Sequence, residues 1–256
     1  MKKKKILLLS DDLRMSSGVG TVSKEFVIGT MNHYDWAQIG GAIKHPDAGK
    51  VVDMKDALKE DFGIDDGYLR IYPSNGYGNP EMLRSVLRLE KPDAIIIYTD
   101  PRFWMWLYQM EREVRSEIPI FYYNIWDDLP YPMWNQPYYD SVDALFNISK
   151  QTVNIVKNVR SSYEPWQATY IPHGINEEVF YPINKKHVEY PKVENFKKRF
   201  NKEVDFIVFY NNRNIRRKLP GDVILAFKTF WDKLPKEEAD RCALLMHTQP
   251  VDKNGT

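Results

Sequence analysis

The chain alternates short apolar runs with stretches of helical length, and this alternation constrains the fold more than any other feature. Runs such as "KILLLS" at residues 5–10, "DAIIIYTD" at 93–100 and "IPIFYYNI" at 118–125 are typical of buried parallel strands. The stretch "NPEMLRSVLRLE" predicts a helix with Asn79 as N-cap and Pro80 at the first helical position. Strands separated by helices of this length form βαβ units, so the sequence predicts an α/β fold with a mostly parallel sheet.

The composition changes after Pro182 and divides the chain. Residues 183–204 are charged and contain no strand-like run, and "DFIVFYNNR" at 205–213 then restarts the alternation. We therefore expect an N-terminal α/β domain at 1–182, a linker at 183–204 and the beginning of a second domain at 205–256. A second domain of about one βαβ unit leaves sheet and helix faces uncovered. We expect either a fragment that lacks its C-terminal part or completion by something else, including an oligomeric partner.

Charge and composition exclude several classes of protein. Lys and Arg total 36 against 35 Asp and Glu, and this balance argues against a protein built to coat nucleic acid. No apolar stretch approaches the length of a membrane span, and the single cysteine, Cys242, rules out an internal disulfide. The five histidines form no metal-binding pattern, so we expect no metal site. A chain without an internal disulfide fits a reducing compartment, and we expect a cytoplasmic protein.

Two glycines follow the first predicted strand. Gly18 and Gly20, in "SDDLRMSSGVGTV", precede the predicted helix at 21–31. Glycines in this position let backbone amides approach an anion at a helix N-terminus, where the helix dipole favours negative charge. The alternative is a plain strand-to-helix loop that needs positive φ angles.

A cationic loop follows the first strand of the second domain. Arg213 and Lys218 lie in "NNRNIRRKLPGDVILAF", between a predicted strand and a predicted helix, and Arg216 and Arg217 add to the positive field. Two cations at the carboxyl end of a parallel strand suit a diphosphate leaving group. A solvated basic loop is the alternative.

Acidic and aromatic residues follow two neighbouring strands. Asp127 and Trp126 come after "IPIFYYN", and Asp100 ends "DAIIIYTD". Open α/β sheets bind ligands at the carboxyl ends of their strands, where aromatic rings stack on sugar faces and carboxylates accept hydroxyl hydrogen bonds. Helix-capping aspartates and buried aromatics are the alternative.

The glycine loop, the cationic loop and a third stretch between them, "IPHGINEEVFYP" at residues 171–182, together resemble the GT-B-fold retaining glycosyltransferases of the large family-four group. The glycine loop has its place after the first strand, "IPHGINEEVFYP" resembles the family's linker motif, and Arg213 with Lys218 resembles its Arg-x(4)-Lys donor-phosphate motif. The chain departs from the family in two places: Trp126-Asp127 stands where relatives often carry His-Asp, and Leu219 replaces a usual glycine. The family's later pair of glutamates would fall after Thr256.

The resemblance implies two Rossmann-like domains and a hexosyltransferase-like activity. By this resemblance the donor would be a nucleotide-diphosphate sugar, no separate cofactor would be required, and the sugar would be transferred with retention to an acceptor hydroxyl. Arg213 and Lys218 would stabilise the leaving diphosphate, Gly18 and Gly20 would contact the donor, and Asp127, Trp126 and Asp100 are candidates for the acceptor. The acceptor's identity stays open, with modified DNA bases among the choices, and so does the inverting mechanism, with Asp127 or Asp100 as general base. A non-catalytic module that binds sugar or nucleotide without a complete donor site is the alternative function.

Overall fold

A computed structural model of the chain describes residues 3–42, 46–200 and 202–252. The chain divides into two compact units, Met1–Gly174 and Ile175–Thr256. This division falls between Gly174 and Ile175, inside the stretch that resembles a linker and before the end of the expected first domain at 182.

The first unit is built on a sheet of eight strands in the order β3-β4-β2-β1-β5-β6-β7-β8. Its strands are β1 (Lys4–Asp11), β2 (Tyr34–Gly41), β3 (Val52–Asp53), β4 (Leu69–Pro73), β5 (Ala94–Tyr98), β6 (Ile120–Asn124), β7 (Ala144–Asn147) and β8 (Ala168–Tyr170). All neighbours pair in parallel except the short edge strand β3, which runs antiparallel to β4. The predicted α/β fold with a mostly parallel sheet is confirmed.

Helices cover both faces of this sheet. They are α1 (Gly18–Thr30), α2 (Lys55–Phe62), α3 (Pro80–Glu90), α4 (Met105–Gln109), α5 (Glu111–Arg115), α6 (Gln136–Asp140) and α7 (Lys150–Val159). Alternate residues of β1 pack on opposite faces: Leu7 and Leu9 belong to one buried cluster, and Ile6 and Leu8 to the other. Both faces are covered, which explains why the central strands are continuous apolar runs.

Local signals placed one helix accurately and missed a break in another. Helix α3 begins at Pro80, and the side chain of Asn79 accepts a hydrogen bond from the amide of Met82, as its sequence predicts. The sequence from Phe103 to about Arg115 also predicts a single helix, and this prediction is wrong. Met110 leaves the helical region (φ −108°, ψ 15°) and separates α4 from α5, although no glycine or proline in this stretch signals the break.

Two buried amides join neighbouring strand ends. Asn124 and Asn147 are register partners at the carboxyl ends of β6 and β7, and both side chains are fully buried. The Nδ2 of Asn124 donates to the Oδ1 of Asn147 (3.2 Å), and the Nδ2 of Asn147 donates to the carbonyl of Thr169 in β8 (3.3 Å). Three strand ends are therefore tied together by side-chain hydrogen bonds.

The second unit contains a two-stranded parallel sheet. Its elements are α8 (Tyr190–Lys197), β9 (Phe206–Asn211), α9 (Pro220–Trp231), α10 (Lys236–Ala239) and β10 (Cys242–His247). Large apolar side chains stay exposed on it, including Phe209 at 59% and Leu225 at 67%. The uncovered sheet and helix faces expected from the sequence are present.

Candidate functional site

The two glycines after β1 lie in the first turn of α1, and the predicted start of this helix at Thr21 is three residues late. Ser17 caps the helix: its Oγ accepts a hydrogen bond from the amide of Gly20 (2.9 Å) and donates one to Asp11 (2.8 Å). The alternative, a plain loop whose glycines need positive φ angles, is also wrong, because neither Gly18 nor Gly20 has a positive φ angle.

The two glycines differ in what a side chain would meet. A Cβ on Gly20 would lie 2.7 Å from the carbonyl oxygen of Met15 and 3.0 Å from that of Asp12. A Cβ on Gly18 would meet nothing within 4 Å. Gly20 is therefore explained by packing of the loop on the helix, whereas the surface beside Gly18 is open to a ligand.

A buried polar network that was not predicted from the sequence lies at the end of β1. Asp11 is only 7% exposed, and its carboxylate accepts hydrogen bonds from the hydroxyls of Ser17 (2.8 Å) and Tyr77 (3.0 Å). Beside it, the buried side chain of Gln38 donates to the Ser10 hydroxyl (2.7 Å) and to the Asp11 carbonyl (2.8 Å). The pair of aspartates that follows the apolar run of the first strand was the available signal, but Tyr77, the partner of Asp11, lies 66 residues further along the chain.

Two of the three predicted acceptor residues, Asp100 and Trp126, contact the same arginine, Arg102, which was not predicted as a site residue. Asp100 accepts hydrogen bonds from the backbone amide of Arg102 (3.0 Å) and from its Nε (2.9 Å). The Arg102 guanidinium lies over the ring of Trp126, 5.5 Å from its centroid. Asp127 is exposed, and its carbonyl accepts a hydrogen bond from Gln151 (2.6 Å).

The pairing with Arg102 changes the chemistry of Asp100. Burial by itself raises the pKa of Asp100, but the hydrogen bonds and charge of Arg102 outweigh it and hold that pKa below its ordinary value. A carboxylate with a lowered pKa is a weak proton acceptor, so Asp100 is poorly suited to act as a general base.

The segment that resembles the family's linker contacts the sheet of the first unit. The Tyr123 hydroxyl donates to the carbonyl of Ile171 (3.1 Å), and His173 Nε2 lies 3.3 Å from the Tyr98 hydroxyl. The His173 ring packs edge-on against both tyrosine rings, and this desolvation lowers the pKa of His173. The imidazole is therefore neutral near pH 7 and holds the end of the first unit in place.

In the second unit, Arg213 and Lys218 lie on one loop between β9 and α9. Arg213 is exposed, and its guanidinium donates to the buried carboxylate of Asp252 (2.9 Å). Lys218 ends a 3₁₀ turn that begins at Arg216, and its carbonyl accepts a hydrogen bond from the Tyr210 hydroxyl (3.1 Å).

Helix α9 begins directly after this loop. Leu219, which stands where the resembling family usually has glycine, has φ +46° and ψ +51°, the left-handed conformation that glycine adopts without strain. Within the described part of the chain, no side chain caps the helix N-terminus. The positive end of the helix dipole therefore lies next to three consecutive cationic residues, 216–218.

Comparisons with known proteins bear on the fold. No protein-family model matches the sequence, and no curated protein matches it. A glycosyltransferase from Rickettsia africae ESF-5 is similar in structure, with a TM-score of 0.53 and 13% identity over 99% of this chain and 70% of that one. The UDP-GlcNAc 2-epimerase of Methanocaldococcus jannaschii, solved with UDP-GlcNAc and UDP, gives a TM-score of 0.49 and 14% identity over 97% of this chain and 66% of its own.

The fold is of the GT-B type. Identity this low shows the shared architecture and leaves the chemistry to be argued from the residues. Among the described residues, no helix is both long and apolar enough to cross a membrane, and no three His, Cys, Asp or Glu side chains group as a metal site.

Proposed function

We propose that the chain is a glycosyltransferase that moves a sugar from a nucleotide-diphosphate sugar to an acceptor hydroxyl. The observation that carries this proposal is the loop of the second unit, where Arg213 and the turn ending at Lys218 precede the uncapped N-terminus of α9. A diphosphate carries the charge that such a loop would neutralise, and a helix N-terminus supplies amide donors for it. The GT-B-type fold is the architecture in which this chemistry is expected.

Arg213 and Lys218 would stabilise the leaving group. The acceptor oxygen bonds to the anomeric carbon, the bond from that carbon to the phosphate oxygen breaks, and the acceptor proton passes to the departing phosphate. Transfer on the same face retains the configuration and needs little further acid–base machinery. Asp252 would orient Arg213, since its buried carboxylate accepts from one side of an otherwise exposed guanidinium.

In this proposal Gly18 is the more suitable of the two glycines for a backbone contact to the donor, because the space beside it is open. Asp100, Trp126 and Asp127 remain proposed acceptor residues. The inverting alternative is weaker for Asp100, whose pKa is lowered by the pairing with Arg102.

Thermal unfolding with UDP-, GDP- and ADP-glucose tests donor binding. A donor at about 100 times its dissociation constant adds about 2.7 kcal/mol of stability. We expect one nucleotide to raise the melting temperature. Arg213→Ala and Lys218→Ala should each weaken the binding of that nucleotide sugar at least about tenfold, because each removes a charge-assisted hydrogen bond to the diphosphate. Lys228→Ala is the matched control, since it removes an exposed cation of α9 that pairs with Asp232.

The outcomes separate the alternatives. If none of the three nucleotide sugars stabilises the protein, or if Lys228→Ala weakens binding as much as Lys218→Ala, the donor site is wrong. Donor binding with no transfer to any acceptor favours the non-catalytic binding module. Where transfer occurs, the anomeric configuration of the product by NMR separates retention from inversion.

A further inference from the structure

An aromatic pair of the first unit presents an open ring face. Tyr77 lies in the loop between β4 and α3, and Phe103 lies in the 3₁₀ turn after β5. Their rings stack with centroids 4.3 Å apart and planes 8° from parallel. Tyr77 therefore covers one face of Phe103, and since Phe103 remains 46% exposed, the opposite face is the one left for solvent.

The Tyr77 ring of this pair is held rigidly by its neighbours. The Tyr77 hydroxyl donates to the buried carboxylate of Asp11 (3.0 Å), and Trp104 packs edge-on against the Tyr77 ring at 5.3 Å. A Cβ on Gly41 would lie 2.8 Å from a ring carbon of Tyr77, so the ring packs directly on the backbone there. Burial raises the pKa of Tyr77, and the nearby Asp11 charge raises it further, which keeps the hydroxyl protonated as a donor.

Two charged residues belong to the same turn as Phe103. Asp100 caps the 3₁₀ turn that carries Phe103, and its carboxylate pairs with Arg102, whose side chain is 59% exposed. A pyranose has an apolar face of C–H groups and a rim of hydroxyls that both donate and accept hydrogen bonds. A flat, preorganised ring that shares its turn with a carboxylate and a guanidinium offers groups for both parts of such a ligand.

We propose that the exposed face of Phe103 is a stacking subsite for a pyranose ring, and therefore that the acceptor is a saccharide. Naming this saccharide the acceptor rests on the proposed function. Phe103 suits this role better than Trp126, which is partly buried and has Arg102 at 5.5 Å and Trp134 at 6.3 Å from its ring.

Saturation-transfer difference NMR on the full chain tests the subsite. The probes are methyl glycosides of glucose, galactose, mannose and N-acetylglucosamine, together with maltose, cellobiose and lactose. We expect at least one to bind, with Phe103→Leu weakening its binding about fivefold and Phe103→Trp preserving it, because stacking requires a flat ring. Met105→Ala is the control, since it truncates a neighbouring apolar side chain that is 51% exposed.

Three results would overturn the subsite: no binding of any probe, equal binding by wild type and Phe103→Leu, or an equal loss in Met105→Ala. Co-sedimentation with phosphatidylcholine–phosphatidylglycerol vesicles that survives Phe103→Leu but not Phe103→Ala would assign the surface to lipid and also refute it. The nucleotide-sugar titration on the same sample separates the two proposals. Donor binding without saccharide binding refutes the subsite alone, and saccharide binding without donor binding refutes the proposed function alone.

Discussion

Replacement of Glu90 tests how much a buried, hydrogen-bonded carboxylate contributes to the stability of the first unit. Glu90 is the last residue of α3, and its side chain is 1% exposed. Its carboxylate accepts hydrogen bonds from Lys5 Nζ (2.8 Å), the Tyr68 hydroxyl (2.6 Å) and the Tyr72 hydroxyl (2.5 Å). Glu90→Gln keeps the shape, removes the charge and leaves the Lys5 ammonium, 20% exposed, without its closest counter-charge.

We expect Glu90→Gln to lower the free energy of unfolding by about 3 kcal/mol, as for other buried pairs that lose one partner. Relief of the unfavourable position of an anion at a helix C-terminus offsets no more than about 1 kcal/mol. For a unit of this size, the loss corresponds to a fall in melting temperature of about 6–12 °C. Glu113→Gln is the control: Glu113 pairs with Arg84 at 2.8 Å but is 52% exposed, so solvent screens the pair and its loss should cost far less than that of Glu90.

The pH dependence of the stability difference between wild type and Glu90→Gln provides a second, independent test. Burial by itself raises the pKa of Glu90, but the hydrogen bonds from its three donors outweigh it, so that pKa lies below its ordinary value. A carboxyl with a lowered folded-state pKa contributes stability above its unfolded pKa of about 4.3 and loses that contribution as the pH falls through its folded pKa. Urea unfolding followed by circular dichroism at pH 7 and below pH 4 should show the gap between wild type and Glu90→Gln shrinking. A cost equal to that of Glu113→Gln, or a gap that does not depend on pH, would refute this account.

Two further predictions concern backbone positions. Gly20→Ala should destabilise the first unit by about 1–3 kcal/mol, because its Cβ would meet backbone oxygens at 2.7 and 3.0 Å. Gly18→Ala is the control and should change stability by less than about 1 kcal/mol, since its Cβ would meet nothing within 4 Å. Equal melting temperatures of the two variants would contradict this explanation. Lys91→Gly should stabilise the protein by about 0.5–1 kcal/mol, because exposed Lys91 ends α3 with φ +48°, a left-handed conformation that costs a non-glycine residue energy. Urea unfolding measures this gain, and Lys91→Ala, which keeps the strain, should show none.

Local patterns predicted the regular elements well. The strands β1, β5 and β6 are continuous apolar runs because both faces of the sheet are covered, and a run of this kind is visible without any knowledge of its partners. The start of α3 was predictable for the same reason: Asn79 and Pro80 act on their own helix.

Contacts between distant parts of the chain were not predictable. The hydrogen bond between Asp11 and Tyr77 spans 66 residues, and the ion pair between Arg213 and Asp252 spans 39. Their formation depends on which loops meet at the edge of each sheet, and hydrophobic periodicity carries no information about that. The stacking of Phe103 escaped notice for a further reason, since an aromatic residue in an expected helix is more often part of the core.

The buried amides of Asn124 and Asn147 limit how this chain can evolve. One hydrogen bond joins the two amides, so a single change to an apolar residue leaves the survivor with an unmade hydrogen bond, at about 1–3 kcal/mol. Exchange of both residues for apolar ones of similar shape removes that mutual penalty, and what remains is the loss of a side-chain partner by the Trp126 amide and the Thr169 carbonyl. A single substitution at either position is therefore more destabilising than it would be with its partner already replaced. The effects of substitutions at these two positions are interdependent.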